Sequence, residues 1–412
     1  MMAWDDDQLV SDVRQLKEKN ITLKSMKKKS IKLAKRKQRP TITINLSRLH
    51  AAKSNGLFVA KQRVRPWTSV SISDSGPTIN IGTECSGLES VMLALNKMGL
   101  NRRLRLRFCT EIDHNARLMI MAHQNPDVLH HDITVRKAGI MPTCDIYAAG
   151  FPCQPFSHAG LNQGERDEKG RGKIIQHILD YIFAALPKSF LLENVKGLTC
   201  KTHKKTFRNI LAALRKDGKY LVTWKVLNTR DFGLPQNRER VYIVGLLRNA
   251  LKLEENKPFF KWPLGNRGVC ASLEEVLEKN VPAEPRPAQG TRRSAMHKLL
   301  CKRIRAKGIH SKRKICAMDL LASAKRGSFM VDCVPCLTRS RASCHGYWLT
   351  KLDRMLTHIE MLRLQGLPDE LAALANTAGV SDSQLGLMIG NSMSVNVLVH
   401  VLHAIWNALK LG

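Results

Sequence analysis

Two residues of this 412-residue chain have the type and setting for covalent chemistry. Cys153 lies within GFPCQPFS (150–157), and Glu193 lies within LLENV, 40 residues further on. A thiolate is a nucleophile, and a carboxyl that is kept neutral is a proton donor. Pro152 and Pro155 each fix φ near about −65° and remove a backbone donor, so the turn that carries Cys153 cannot relax into a helix. The preceding run CDIYAAG (144–150) predicts a buried strand ending in glycine, and SFLLENV (189–195) predicts a second strand whose end carries Glu193. Open α/β sheets place their chemistry at the carboxyl ends of strands. Against this stands the common fate of cysteine, which is to be buried and inert, and a chain with 11 cysteines offers more chances of a coincidental match. The eight-residue string is far more specific than a cysteine alone.

That string resembles the hallmark of the C5-cytosine-specific DNA methyltransferases, and further segments resemble the motifs of that family in their order. TINIGTECSGLESVMLAL (78–95) is similar to the first motif, a strand, a glycine turn and a helix. Such a turn lets the backbone approach a cofactor closely. Of the motif's glycines this chain keeps Gly82 and Gly87, and Glu84 stands where the family often has glycine. RLRFCTEIDHNA (105–116) resembles the second motif; by resemblance Glu111 accepts from ribose hydroxyls and Ile112 lies against adenine. In HHDIT, Asp132 and Ile133 resemble the third, whose acid meets the adenine amino group. Ile174 occupies the position of an apolar cofactor contact. PQNRERVYIVG (235–245) resembles the eighth motif, which implies a contact from Arg240 to cytosine O2 and a supporting contact from Arg238. If VYIVG begins a strand, the two arginines, two residues apart, share a face. RMLTHIEMLRLQGLPDEL (354–371) resembles the ninth motif, a helix ended by Gly366 and Pro368. GNSMSVNVLVHVLHAI (390–405) resembles the tenth, in which Asn391 is expected to cap a helix and lie near the cofactor.

The resemblance implies S-adenosyl-L-methionine as methyl donor and a cytosine swung out of duplex DNA. Cys153 would attack carbon 6 of the ring, and Glu193 would hydrogen-bond N3 and the exocyclic amine. Gln154 and Ser157 are candidates for touching the backbone of the flipped nucleotide, and SHAGLNQGERDEKGRGK (157–173) for a loop closing over it. A related enzyme acting on transfer RNA is the first alternative. A nucleic-acid-binding homologue without turnover is the second, and the altered glycine turn keeps it open.

Composition adds a partner. The formal charge is +33, a surplus that implies a polyanion, most simply DNA. It is concentrated in two places. Residues 1–70 hold 17 lysines and arginines against 5 acids, and residues 246–350 hold 21 against 8. The segment 17–40 lacks apolar periodicity and reads as a disordered arm, a nuclear address or a phosphate-binding tail. No membrane span is expected, and the acidic start MMAWDDD does not read as a secretory leader. Free cysteines suit a reducing compartment. Cys333, Cys336, Cys344 and His345 have zinc-like spacing, but cysteine packing is the expected account and no metal is expected.

The elements needed to position these residues define an α/β fold. A Rossmann-like, mostly parallel sheet with helices on both faces should form the methyltransferase domain from residues 76–248 and 351–412. Residues 249–350 should form a small, irregular target-recognition domain, and residues 1–75 a basic extension.

Overall fold

The computed structural model describes residues 72, 75–152, 174–252 and 259–411, apart from 267, 269, 312 and 326. All of these fall in the unit Asn45–Gly412. Nearly all of the basic extension, the segment with Cys153, Gln154 and Ser157, and the stretch to residue 173 lie outside the described residues.

Seven strands form the central sheet: β1 (Ile79–Glu84), β2 (Leu104–Thr110), β3 (Val128–His130), β4 (Ile146–Gly150), β5 (Ser189–Val195), β6 (Tyr220–Asn228) and, after the short β7 (Gln236–Asn237), β8 (Glu239–Leu247). Their order is β3-β2-β1-β4-β5-β8-β6, and β8 alone runs antiparallel to its neighbours. A parallel strand needs a crossover, and here the crossovers carry α1 (Ser90–Lys97), α2 (His114–His123), α3 (Ile174–Ala185) and α4 (Lys204–Arg215). Both faces of the sheet are therefore covered, which is why β4 lacks charged residues and β5 carries the apolar run Phe190–Leu192. Alternate residues go to opposite layers. Ile146, Ala148 and Leu191 join the core with α1 and α2, while Tyr147, Phe190 and Leu192 join that with α3 and α4.

The region after β8 is more regular than its sequence suggests. Short strands β9 (Cys316–Asp319), β10 (Phe329–Val331), β12 (Tyr347–Leu349) and β13 (Arg354–Met355) make a four-stranded sheet. Between β10 and β12 lies β11 (Val334–Pro335), which pairs in parallel with β7. The helices here are α5 (Leu273–Val276), α6 (Arg292–Ala306) and α7 (Arg339–Ala342). Met296, Leu300 and Ile304 of α6 pack on Met318, Trp348 and Met355 of the sheet. Strands this short give too little alternation to be read from sequence.

Four helices close the chain: α8 (His358–Gln365), α9 (Glu370–Thr377), α10 (Asp382–Asn391) and α11 (Val395–Ala408). Thr357 and Glu360 form a capping box for α8, and Gly366 ends it at φ 73°. Asn391 does not begin a helix, contrary to the expectation from GNSMS: it is the last residue of α10, and Ser394 precedes α11. The span 382–408 is long and apolar enough to cross a membrane by composition, but it is two helices, and its apolar 18-residue window is 78% buried inside the protein. Leu398, Val401 and Leu402 of α11 pack into the same core as α1, each burial contributing roughly 1.5–3 kcal/mol.

Candidate active site

Parallel pairing puts Gly150, the last residue of β4, opposite Glu193 in β5. A Cβ built on Gly150 would lie 3.9 Å from Glu193 Oε2, so the carboxylate sits against the backbone three residues before Cys153 in the chain. Asn194, next to Glu193, donates from Nδ2 to the carbonyl of Phe151 at 3.2 Å and fixes where the chain leaves β4. Arg240 enters from β8, opposite Val195 in the antiparallel register, and its Nε lies 3.1 Å from Glu193 Oε1. Burial pushes the Glu193 carboxyl up from its ordinary value, and Arg240 and Arg238 oppose that without reversing it. A buried acid that resists ionisation, beside a guanidinium, can donate a proton or a hydrogen bond to a ring nitrogen.

Arg238 also turns toward this site, as the shared-face argument anticipates, but its bonds go to the main chain. Nη1 donates to Leu337 O at 2.6 Å and Gly390 O at 3.2 Å, and Nη2 donates to Ser392 O at 2.7 Å. Arg238 thereby ties the β7–β8 junction to the segment after β11 and to the end of α10. Both arginines reach Cys336 Sγ, Arg240 at 3.6 Å and Arg238 at 3.7 Å. Burial acts to raise the Cys336 thiol, but Arg240 and Arg238 outweigh it and hold the thiol below its ordinary value. Sequence reasoning weighed Cys336 as a zinc ligand or a packing residue, favouring packing, and did not anticipate its contact with the two arginines. Its partner in the spacing, His345, has Nδ1 2.6 Å from Leu356 O, and among the described residues no group of three or more His, Cys, Asp or Glu could hold a metal ion.

Of the residues expected at the cofactor, Gly87, Glu111, Ile112, Asp132 and Ile133 lie in the segments that follow β1, β2 and β3. Glu111 follows β2 and accepts from Gly87 N at 2.8 Å and Asp113 N at 2.9 Å. Burial raises its carboxyl and those amides work against the rise. Gly87 holds φ 56°, and a Cβ there would meet nothing within 4 Å. Ile112 is 72% exposed, an apolar side chain left open beside that turn. Asp132 spends Oδ1 on the backbone and hydroxyl of Thr134, both at 2.8 Å. Ile133 is buried in the core with Tyr147 and Phe108, Ile174 is half-buried at the start of α3, and Asn391 is exposed. Gly82 has a different reason to be glycine, because a Cβ there would lie 2.4 Å from Phe108.

Three further side chains escaped sequence reasoning. Glu89 is buried before α1, with Oε1 taking a 2.6 Å bond from Thr83 and Oε2 without a partner; burial pushes its carboxyl up to about 7. Arg136 pairs with Glu84, and Tyr147 donates its hydroxyl to the same carboxylate. Burial raises the Glu84 carboxyl and the bonds from Arg136 oppose that. Nothing in a single sequence marks Arg136, which sits in an aperiodic stretch, VRKAG. A cavity of about 390 Å³ lined by Val128, His130, Val135 and Ile140 also touches Arg136, but Glu193 and Arg240 do not line it.

Comparison with known proteins gives one family. Residues 84–407 match the family model for C-5 cytosine-specific DNA methylase. The chain is 35% identical over 316 residues to the Type II methyltransferase M.NgoBI of Neisseria gonorrhoeae, covering 76% of this chain and 88% of that one. It is 36% identical over 278 residues to the Type II methyltransferase M.HaeII of Haemophilus aegyptius, covering 66% and 77%. Among solved structures, the Entamoeba histolytica methyltransferase EhMeth superposes with a TM-score of 0.58 at 16% identity, over 81% of this chain and 99% of that one; that likeness bears on the fold alone.

Proposed function

The chain belongs to the C-5 cytosine-specific DNA methylase family and is a DNA (cytosine-5-)-methyltransferase, and we propose that it acts on duplex DNA, with S-adenosyl-L-methionine as donor, through a bond from Cys153 to carbon 6 of the target cytosine. The observation that carries this mechanism is the placement of Glu193: a buried carboxyl, reluctant to ionise, at the end of β5 and beside the strand that leads into Cys153.

Carbon 5 of cytosine is a weak nucleophile. Addition of the Cys153 thiolate at carbon 6 pushes electron density to carbon 5, and Glu193 stabilises the charge that builds on the ring by hydrogen-bonding N3. Arg240, whose Nε lies 3.1 Å from Glu193 Oε1, would donate to the ring carbonyl O2. Carbon 5, so enriched, would take the methyl group; a base such as water would then accept the carbon 5 proton, and its electron pair would expel Cys153 and restore the aromatic ring. A base stacked in a duplex is out of reach of these groups, so the cytosine is swung out of the helix.

The residues at the strand ends fit the donor, which when bound supplies an electrophilic methyl group. The open backbone at Gly87, the exposed Ile112 and the carboxylates of Glu111 and Asp132 would hold its adenosine part. Contact with the DNA backbone falls to the region after β8. The support is the outer face of α6, where Lys298, Lys302 and Arg305 are exposed at helical spacing and no acid occurs in the 15 residues. The basic arm supports residence with DNA, in the nucleus of a eukaryotic cell or with the nucleoid otherwise.

The test is methyl transfer from labelled donor to duplex DNA of mixed sequence or to transfer RNA. Label in the DNA is expected. Label confined to RNA, or binding of DNA with no label, would overturn the proposal.

A further inference from the structure

The departure from glycine at residue 84 does not leave a gap; it creates a buried ion pair. Glu84 ends β1 with its side chain wholly buried, and the Arg136 side chain is 2% exposed. The contact is bidentate, Nε to Oε1 and Nη2 to Oε2, the second at 2.8 Å. Oε2 also accepts the Tyr147 hydroxyl, so neither carboxylate oxygen is left without a donor. The same Nη2 donates to the carbonyl of His177 in α3 at 2.9 Å. The guanidinium lies 5.6 Å from the centroid of the Tyr181 ring, which packs on Tyr147 at 4.7 Å. Nε and Nη2 thus both find acceptors, and the Tyr181 ring lies within cation–π range of the guanidinium, contacts of the kind a buried pair needs to hold.

What this one guanidinium joins is informative. Glu84 opens the turn that holds Gly87. Arg136 stands four residues after Asp132. His177 is in α3, which starts at Ile174. The three segments share no regular pairing at that point, and each carries residues placed here around the methyl donor. We propose that Glu84 and Arg136 are positioning residues for the methyl donor: the pair sets the distance between the turn after β1, the loop after β3 and the start of α3, and so replaces the fit that the family more often builds around glycine. In this chain the cofactor cleft is held by a charge pair beneath it. The inference rests on the reading that S-adenosyl-L-methionine is the donor.

The test is a cycle of Glu84→Gln, Arg136→Gln and the double substitution. The readouts are S-adenosylhomocysteine affinity by calorimetry, duplex DNA affinity, and KM for the donor against kcat at saturation. Each single change is expected to weaken S-adenosylhomocysteine binding at least 10-fold. KM for the donor should rise in step, with kcat changed less than threefold and DNA affinity within twofold. The double variant should be as weak as either single, because the two side chains act as one unit. If a single variant does not fold, the double variant, which buries no unpaired charge, decides the matter. Wild-type affinity for S-adenosylhomocysteine in any folded variant would overturn the proposal, as would an equal loss of DNA binding. Failure of the unaltered chain to bind S-adenosylhomocysteine would instead overturn the choice of donor.

Discussion

Glu193 is held where its ionised form is disfavoured, since burial raises its carboxyl and two arginines only partly offset the rise. The folded chain therefore binds this proton more tightly than the unfolded chain. The stability from that proton is present below the ordinary carboxylate value and is lost as pH rises through the higher folded value. Catalysis by the neutral acid, as proposed for Glu193, would follow the same limb. Turnover should fall as pH rises through the Glu193 value, and Arg240→Gln, by removing the main charge that lowers it, should move that limb to higher pH in a single-turnover profile. Glu193→Gln imitates the neutral form without its proton. It should cut kcat by about 10²–10⁴-fold while the melting temperature at pH 7 stays at or above that of the unaltered chain; a marked drop in melting temperature would mean that the acid is structural. The two glycines of the first motif should separate in the same way. Gly82→Ala drives a Cβ into Phe108 and should lose about 1–3 kcal/mol in urea unfolding. Gly87→Ala meets open space but puts a side chain at φ 56°, so it should lose about 1 kcal/mol and, unlike Gly82→Ala, also weaken S-adenosylhomocysteine binding.

At the scale of elements, the site depends on Arg238 binding three segments that are far apart in sequence. Arg238→Met would strip donors from the carbonyls of Leu337, Gly390 and Ser392 and should cost about 3 kcal/mol or more by denaturant titration, at roughly 1–3 kcal/mol per stranded group. The strands that deliver Gly150 and Glu193 were legible in sequence, because an apolar run ending in glycine or an acid has few other readings. The α8 boundary was legible at its end through Gly366. The C-terminal hinge was not. GNSMS has the composition of a helix start, yet it follows a helix already begun at the Ser381 capping box, so Asn391 closes α10 instead of opening α11. Glu84 was visible as a misfit, but its meaning lies in Arg136, 52 residues away, and pairing at that range leaves no local period. The four-stranded sheet after β8 was hidden for the opposite reason, its strands being only two to four residues long.

The whole molecule is a cation of formal charge +33 acting on a polyanion. DNA affinity should therefore fall steeply with salt, with a slope of log Kobs against log salt of about −0.9 for each phosphate neutralised. Exchanging Lys298, Lys302 and Arg305 for Gln should flatten that slope by roughly two to three units and leave kcat at saturating DNA unchanged; an unaltered slope would place the duplex against another face. The proposed mechanism rests on a single transient bond between protein sulfur and cytosine. Its most direct measurement uses duplex DNA of mixed sequence in which 5-fluorocytosine replaces cytosine, incubated with S-adenosyl-L-methionine and analysed by denaturing electrophoresis and peptide mass. Fluorine at carbon 5 blocks the proton loss that frees the enzyme, so a stable adduct on Cys153 is predicted, absent in Cys153→Ala. Methylation of ordinary DNA without any such adduct, or an adduct on a different cysteine, would contradict the account.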